Sequence, residues 1–93
     1  MKIYLAGPIS SIDNYFENFA KAAEKLRLQR HEVFNPAAAN LEGMSLEKIL
    51  AYELNWLCIQ ADAIALLPGW EKSLGARAEH ATALALGKRF IYL

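Results

Sequence analysis

Only one cysteine, Cys58, occurs in the 93 residues, and it stands in an apolar stretch with helical character. Without a second cysteine the chain cannot form an internal disulfide or a cysteine-based metal site, and a buried thiol is the simplest interpretation of Cys58. The two histidines, His31 and His80, are far apart in the sequence and lack the spacing of zinc ligands. We therefore expect no metal site.

An excess of charge of either sign is also lacking. Ten basic and ten acidic residues cancel, and the absence of a basic stripe argues against a nucleic-acid polymer as partner. A neutral or singly charged small molecule fits better. No apolar run approaches the roughly 18 residues of a membrane span, and the start, MKIYLAGP, indicates a strand and a turn rather than a signal peptide. We expect a cytoplasmic protein with no membrane partner.

Three motifs that would point to common chemistries are missing. The stretch GPISS is not the GxGxxG of a dinucleotide site, and neither GxxxxGK[ST] nor the nucleophile elbow GxSxG occurs. We therefore expect no bound cofactor.

Apolar residues, by contrast, are abundant. They make up 55% of the chain, against about 45–50% in an average globular domain. A small domain with surplus apolar residues often covers them with a second copy. The excess predicts a homo-oligomer, with Trp56, Ala81 and Ala85 contributing to the interface.

Strand and helix patterns alternate along the whole chain. Short apolar strands are predicted over 2–6, 31–34, 62–67 and 89–93. The first helix is predicted from residue 12 to about residue 30, with a core-facing stripe at Ile12, Phe16, Phe19, Ala23 and Leu26. Ser45 and Ser73 are predicted to cap the second and third helices, and Gly87 to end the third.

This βαβαβαβ order predicts one α/β domain over residues 1–93, with a four-stranded parallel sheet in the order 2-1-3-4. In such a sheet ligands bind at the carboxyl ends of the strands, beside the switch point between strands one and three. Two loops meet there. The candidate substrate-binding residues are Gly7, Pro8, Ile9 and Ser10 in the first loop, Gly69 and Trp70 in the second loop, and Ser73 and Gly75 at the start of the third helix.

Glu79 is the carboxylate best placed to act at this crevice. It lies four residues after Gly75, on the same face of the third helix, and long helical side chains lean back toward the helix start. A glycine inside a helix costs about 1 kcal/mol relative to alanine, so Gly75 needs a reason, such as room for a ligand. The alternative is that Glu79 is a solvated charge and that Gly75 permits close packing.

Three other residues are candidates, each with a plainer alternative. Tyr4 lies inside the first strand and could simply be core. Trp70 could stack on a flat ligand or pack on the neighbouring helix or a partner subunit. Asp62 could be no more than a residue at the entry of a strand, at the edge opposite the ligand-binding edge.

Three segments, KIYLAGPIS, QRHEVFNP and ADAIALLPGWEKSLGARAEHATALALGK, resemble the nucleoside 2-deoxyribosyltransferase superfamily, in particular its small phage and bacterial members. The resemblance covers nearly the whole chain. It implies that Glu79 is the nucleophile, that Tyr4 hydrogen-bonds to it, and that Ser73 and Gly75 belong to the preceding motif. Asp62 matches an aspartate placed near the base in the related deoxynucleoside monophosphate hydrolases.

The resemblance implies a nucleoside or nucleotide substrate and a covalent mechanism. Glu79 would attack C1′ while an acid, with Asp62 as candidate, protonates the leaving base; a second base or water would then release the sugar. The monophosphate hydrolases bind the 5′-phosphate with a serine and an arginine, but here the corresponding stretch, Pro8-Ile9-Ser10, has no arginine. The alternatives are a nucleoside 5′-monophosphate hydrolase, a nucleotide-binding module without turnover, and a structural subunit of a larger assembly.

Overall fold

The computed structural model of the protein describes residues 1–9, 14–39 and 43–93. Strands and helices alternate, with a short 3-10 turn at Trp70–Lys72 before the last helix. The strands are β1 (Lys2–Ala6), β2 (Glu32–Phe34), β3 (Ala63–Leu66) and β4 (Arg89–Tyr92), and the helices are α1 (Tyr15–Leu28), α2 (Leu46–Ile59) and α3 (Leu74–Ala85). No helix in this part of the chain is long and apolar enough to cross a membrane.

The four strands form one parallel sheet in the order β2-β1-β3-β4, which confirms the predicted fold. The central strands β1 and β3 are buried along most of their length because helices cover both faces of the sheet. Their register pairs Tyr4 with Ile64 and Ala6 with Leu66. The carboxyl ends of β1 and β3 therefore lie side by side, as the switch point requires.

Side chains that alternate along the central strands divide the core into two clusters. Ile3, Leu5 and Ala65 face α1 and pack with Phe19 and Leu26. The alternate residues of the same strands face α2 and α3, and this second cluster comprises Tyr4, Ala6, Leu57, Ala61, Ile64, Leu66, Ala76 and Ala83. The sheet therefore has one helix on one face and two on the other.

The core-facing stripe of α1 differs from the predicted one at its start. Phe16 is 56% exposed, whereas Tyr15 packs against the core together with Phe19, Ala23 and Leu26. The helix turns Tyr15, four residues before Phe19, toward the sheet instead of Phe16, three residues before it. At this point the buried stripe is therefore displaced by one residue from the predicted one. Ile12 lies outside the described residues.

The predicted helix ends at Ser45, Ser73 and Gly87 are confirmed. The Ser45 hydroxyl accepts a hydrogen bond from the Lys48 amide, and the Ser73 hydroxyl accepts one from the Ala76 amide. Gly87 follows α3 with φ 69°, a left-handed conformation that glycine adopts without a steric penalty.

Candidate active site

Tyr4 and Glu79 form a buried hydrogen bond between the middle of β1 and the second turn of α3. The Tyr4 hydroxyl donates to Glu79 Oε2 at 2.5 Å. Tyr4 is completely buried and Glu79 is 5% exposed, which makes Glu79 the one charged residue in the buried core of the described chain. Glu79 is therefore not a solvated helix charge, and Tyr4 is more than an apolar core residue.

Glu53, on α2, is the second carboxyl of the site. Its side chain lies close enough to Glu79 for a hydrogen bond between the two carboxyls. Two carboxyls can share such a bond only when one of them carries a proton, because two adjacent carboxylates repel each other. The three side chains Tyr4, Glu79 and Glu53 thus come from a strand and two helices that meet on one face of the sheet.

Burial raises the pKa of Glu79 to about 8, against the opposing effect of the Tyr4 hydroxyl, which stabilises the carboxylate. The charge and the hydrogen bond of Glu53 raise it further. Burial also raises the pKa of Glu53, and the pKa of Tyr4 is raised by burial and by the charge of Glu79. The raised pKa values favour the protonated forms of both carboxyls, and Tyr4 remains a donor.

Aromatic rings surround the tyrosine. Phe34, at the end of β2, stacks on Tyr4 with ring centroids 5.2 Å apart, and Trp56 tilts against both rings. Tyr52 tilts against Phe34 and is half exposed. This cluster packs around the Tyr4 ring and holds it in place.

The two predicted crevice loops contact each other. A Cβ on Gly7 would come within 2.8 Å of the Leu67 Cβ, so only glycine permits this approach. Gly69 has φ 87°, and a Cβ there would meet Pro8 at 3.4 Å. Ile9 packs against the core on the α1 face, and Ser10 lies outside the described residues.

The candidate residues of the second loop and of the start of α3 have separate roles. The Ser73 hydroxyl caps α3. Gly75 is exposed, and a Cβ there would meet only the Ser73 hydroxyl, at 4.0 Å, so close packing within the described chain does not explain this glycine. Trp70 stacks on His80 of α3, with ring centroids 4.4 Å apart. Of the two predicted roles of Trp70, this contact corresponds to packing on the neighbouring helix.

Asp62 is not brought to this pair of carboxyls. Its carboxylate accepts a hydrogen bond from the Lys2 amide at 2.8 Å, at the amino edge of the sheet. This bond ties the start of β3 to the start of β1. Within the described residues, no group of three or more His, Cys, Asp and Glu side chains is arranged to hold a metal ion.

Comparison with known proteins identifies the family. A family model described as a domain of unknown function, DUF4406, matches residues 1–92. The chain belongs to the DUF4406 family. No curated protein matches this DUF4406 chain.

Among solved structures, the DUF4406 chain is similar to a 2-deoxyribosyltransferase from Bacillus psychrosaccharolyticus that is described as a biocatalyst for the synthesis of antiviral and antitumoral nucleosides. The TM-score is 0.77 at 25% sequence identity, over 99% of this chain and 71% of that one. The resemblance to the nucleoside 2-deoxyribosyltransferase superfamily is therefore confirmed.

Proposed function

We propose that the protein cleaves or transfers at the N-glycosidic bond of nucleosides, with Glu79 as the nucleophile. The observation that carries the proposal is the buried contact of Glu79 with both Tyr4 and Glu53. A buried carboxyl that is hydrogen-bonded to a second carboxyl is costly to keep in a small core, and such perturbed groups are concentrated at functional sites. The likeness to a 2-deoxyribosyltransferase supports the same chemistry.

In the proposed reaction Glu79 attacks C1′ of the sugar as the bond from C1′ to the base nitrogen breaks. An anion beside C1′ stabilises the positive charge that develops on the sugar in the transition state. The product of this step is a glycosyl ester on Glu79. Another base or water then attacks C1′ and loses its proton to Glu53, while the ester bond from C1′ to Glu79 breaks and restores the free carboxylate.

Glu53 supplies the proton that the leaving base needs. In the free site the two carboxyls share a proton, because burial raises the pKa of both. We propose that this proton moves onto Glu53 as positive charge develops on the sugar, because that charge stabilises the ionised form of Glu79. Glu53 replaces Asp62 in this role because the Asp62 carboxylate is bonded at the opposite edge of the sheet.

Tyr4 positions the nucleophile. Its hydroxyl donates to one oxygen of Glu79, which fixes the plane of the carboxylate. A hydrogen bond to a charged group contributes roughly 1.5–3 kcal/mol. The aromatic cluster around Tyr4 keeps this donor from rotating away.

The test is a panel of 2′-deoxynucleosides, ribonucleosides and their 5′-monophosphates, incubated with and without a free acceptor base and followed by chromatography. Base release without an acceptor indicates hydrolysis, and a new nucleoside in its presence indicates transfer. The variant Glu79→Gln is the inactive control, and Glu71→Gln, an exposed residue of the 3-10 turn, is the matched active control. Binding of these compounds without any turnover would favour a nucleotide-binding module instead.

A further inference from the structure

An open cavity of about 410 Å³ lies on the α1 face of the sheet, the face opposite Glu79. It runs between α1 and the carboxyl ends of the two strands β3 and β4. Its lining residues are Pro8, Asn18, Phe19, Lys21, Ala22, Lys25, Leu67, Pro68 and Leu93. A volume of this size is within the range of roughly 300–1,000 Å³ typical of small-molecule sites.

The cavity exists because this face has a single helix. Helix α1 packs over β1 and β2, whereas α2 and α3 both lie on the other face. The floor is formed by Phe19 and Leu67, which are almost fully buried, and its far end is formed by Leu93, which is 37% exposed. An apolar floor beside an open mouth favours a ligand with an apolar body.

The charged side chains of the cavity wall have one sign. Asn18, Lys21, Ala22 and Lys25 recur at the three- and four-residue spacing that places side chains on one face of α1. The two acidic residues in the body of this helix, Glu17 and Glu24, do not line the cavity, nor does any other acidic side chain of the described chain. Two ammonium groups beside an apolar floor match a ligand that carries an anionic group at one end.

We propose that this cavity binds small amphipathic organic anions, with a ring or short chain on the apolar floor and a carboxylate, sulfonate or phosphate at Lys21 and Lys25. The site is separate from the carboxyl pair, because the sheet lies between them. Pro8 and Pro68, which line the cavity, follow β1 and β3 and belong to the two crevice loops. A ligand bound here would therefore contact both loops of the proposed active site from behind.

The probes are two dyes that differ by one charged group, 8-anilinonaphthalene-1-sulfonate and its neutral parent N-phenyl-1-naphthylamine. Fluorescence titration is expected to give one saturable site, with the sulfonate bound at least about tenfold more tightly than the neutral dye, which corresponds to about 1.4 kcal/mol. Backbone amide NMR signals of the wild-type protein should shift for Asn18, Ala22, Leu67 and Leu93. The double variant Lys21→Glu/Lys25→Glu should lose this preference, while Lys48→Glu/Lys72→Glu, with the same charge change outside the cavity, should keep it.

Several results would overturn the proposal. These are equal affinity for the two dyes, no saturable binding of the sulfonate, amide shifts confined to α2 and α3, or unchanged sulfonate affinity in the Lys21/Lys25 variant. Amide signals of the cavity residues that shift with protein concentration in the absence of dye would show that a second copy covers this surface. That result would also contradict the proposal. None of these outcomes depends on nucleoside turnover, so the proposed function is tested independently.

Discussion

Glu79 combines two properties that oppose each other. Its carboxyl is almost completely buried, which favours the protonated form, yet nucleophilic attack requires the carboxylate. In the proposed mechanism the Tyr4 hydroxyl and the exchange of a proton with Glu53 reconcile them, because they allow the negative charge to appear on Glu79 without bulk water. The same burial makes the residue a cost to the stability of the fold.

The first prediction follows from that cost. The pKa of Glu79 is raised in the folded protein to about 8, so between pH 4.5, its ordinary value, and about 8 the folded state binds more protons than the unfolded state. The free energy of unfolding should therefore fall as the pH rises through this window. Urea unfolding should show that Glu79→Gln removes most of this slope and is more stable than the wild type at pH 8 by at least about 1 kcal/mol.

The matched control for that measurement is Glu71→Gln, at an exposed position of the 3-10 turn. It should leave the pH dependence of unfolding unchanged. A Glu79→Gln variant that is less stable than the wild type at pH 8 would show that the buried carboxylate is stabilised by its partners rather than costly.

The second prediction separates the roles of the two carboxyls. If Glu53 protonates the base, Glu53→Gln should slow cleavage of ordinary nucleosides by about 10²–10⁴-fold, the usual effect of one general acid. A deoxyriboside of 4-nitrophenol, whose leaving group needs no proton, should be cleaved by this variant at close to the wild-type rate. Steady-state kinetics on both substrates test this, and equal losses on both would mean that Glu53 is not the acid.

At this scale the sequence predicted part of the site. Glu79 was predicted from its spacing to Gly75 and from the resemblance, and Tyr4 from the resemblance alone. The structure brings the two side chains together. Glu53 was missed, although a signal existed: it stands three residues after Leu50 and four before Leu57, on the stripe that faces the core. The contact between Glu53 and Glu79 joins residues on different helices, and no local pattern reports such a pairing.

At the scale of elements, α1 and α3 end in the same way but with different residues. After each helix the chain turns through a left-handed residue, Arg30 with φ 69° and Gly87 with φ 69°. The amides of His31 and Lys88 close both turns by bonding to Leu26 and Ala83, five residues back. Glycine adopts this conformation freely, whereas arginine is strained in it.

The third prediction uses this pair of turns. Arg30→Gly should raise the free energy of unfolding by roughly 0.5–1 kcal/mol, because relief of left-handed strain exceeds the added entropy of the unfolded chain. Gly87→Ala should lower it by about 1 kcal/mol, since nothing lies within 4 Å of the added Cβ and only the backbone strain changes. Thermal unfolding of both variants checks this; a destabilised Arg30→Gly would reveal a contact of the arginine side chain.

The elements themselves were largely predictable because each begins or ends at a residue with a local chemical reason. Ser45 and Ser73 cap their helices, and Gly87 ends the last one. The core-facing stripe of α1 was predicted wrongly at Phe16 because Tyr15 and Phe16 are both apolar and adjacent, and only the packing of the helix on the sheet decides which of them is buried. Periodicity alone does not choose between neighbouring apolar residues.

At the scale of the whole molecule, the strand order was predictable because right-handed crossovers leave few arrangements of four parallel strands. The cavity beside α1 was not predictable, since it depends on the distribution of three helices between two faces. Trp56 was predicted to contribute to a subunit interface. Its side chain packs on Tyr4 and Phe34 in the core of the described chain, so only part of it is available for such an interface.

The fourth prediction is that the protein self-associates through α2 and α3. Large apolar side chains are exposed on or next to these helices, namely Tyr52, Ile59, Leu74, Leu84 and Leu86. We expect light scattering at micromolar concentration to give at least the mass of a dimer, and Leu84→Glu to weaken the association. Leu28→Glu, at a leucine of α1 that is even more exposed than Leu84, should have no effect. A monomer mass for the wild type would refute the prediction.

The central claim is that Glu79 carries the sugar, and the most direct test is to trap it there. A 2′-fluoro-2′-deoxynucleoside should form the glycosyl ester and release it slowly, because fluorine destabilises the positive charge of both transition states. We predict that intact-protein mass spectrometry shows one added fluorosugar and that peptide mapping places it on Glu79, with no adduct in Glu79→Gln. An adduct on another residue, or one that persists in Glu79→Gln, would contradict the account.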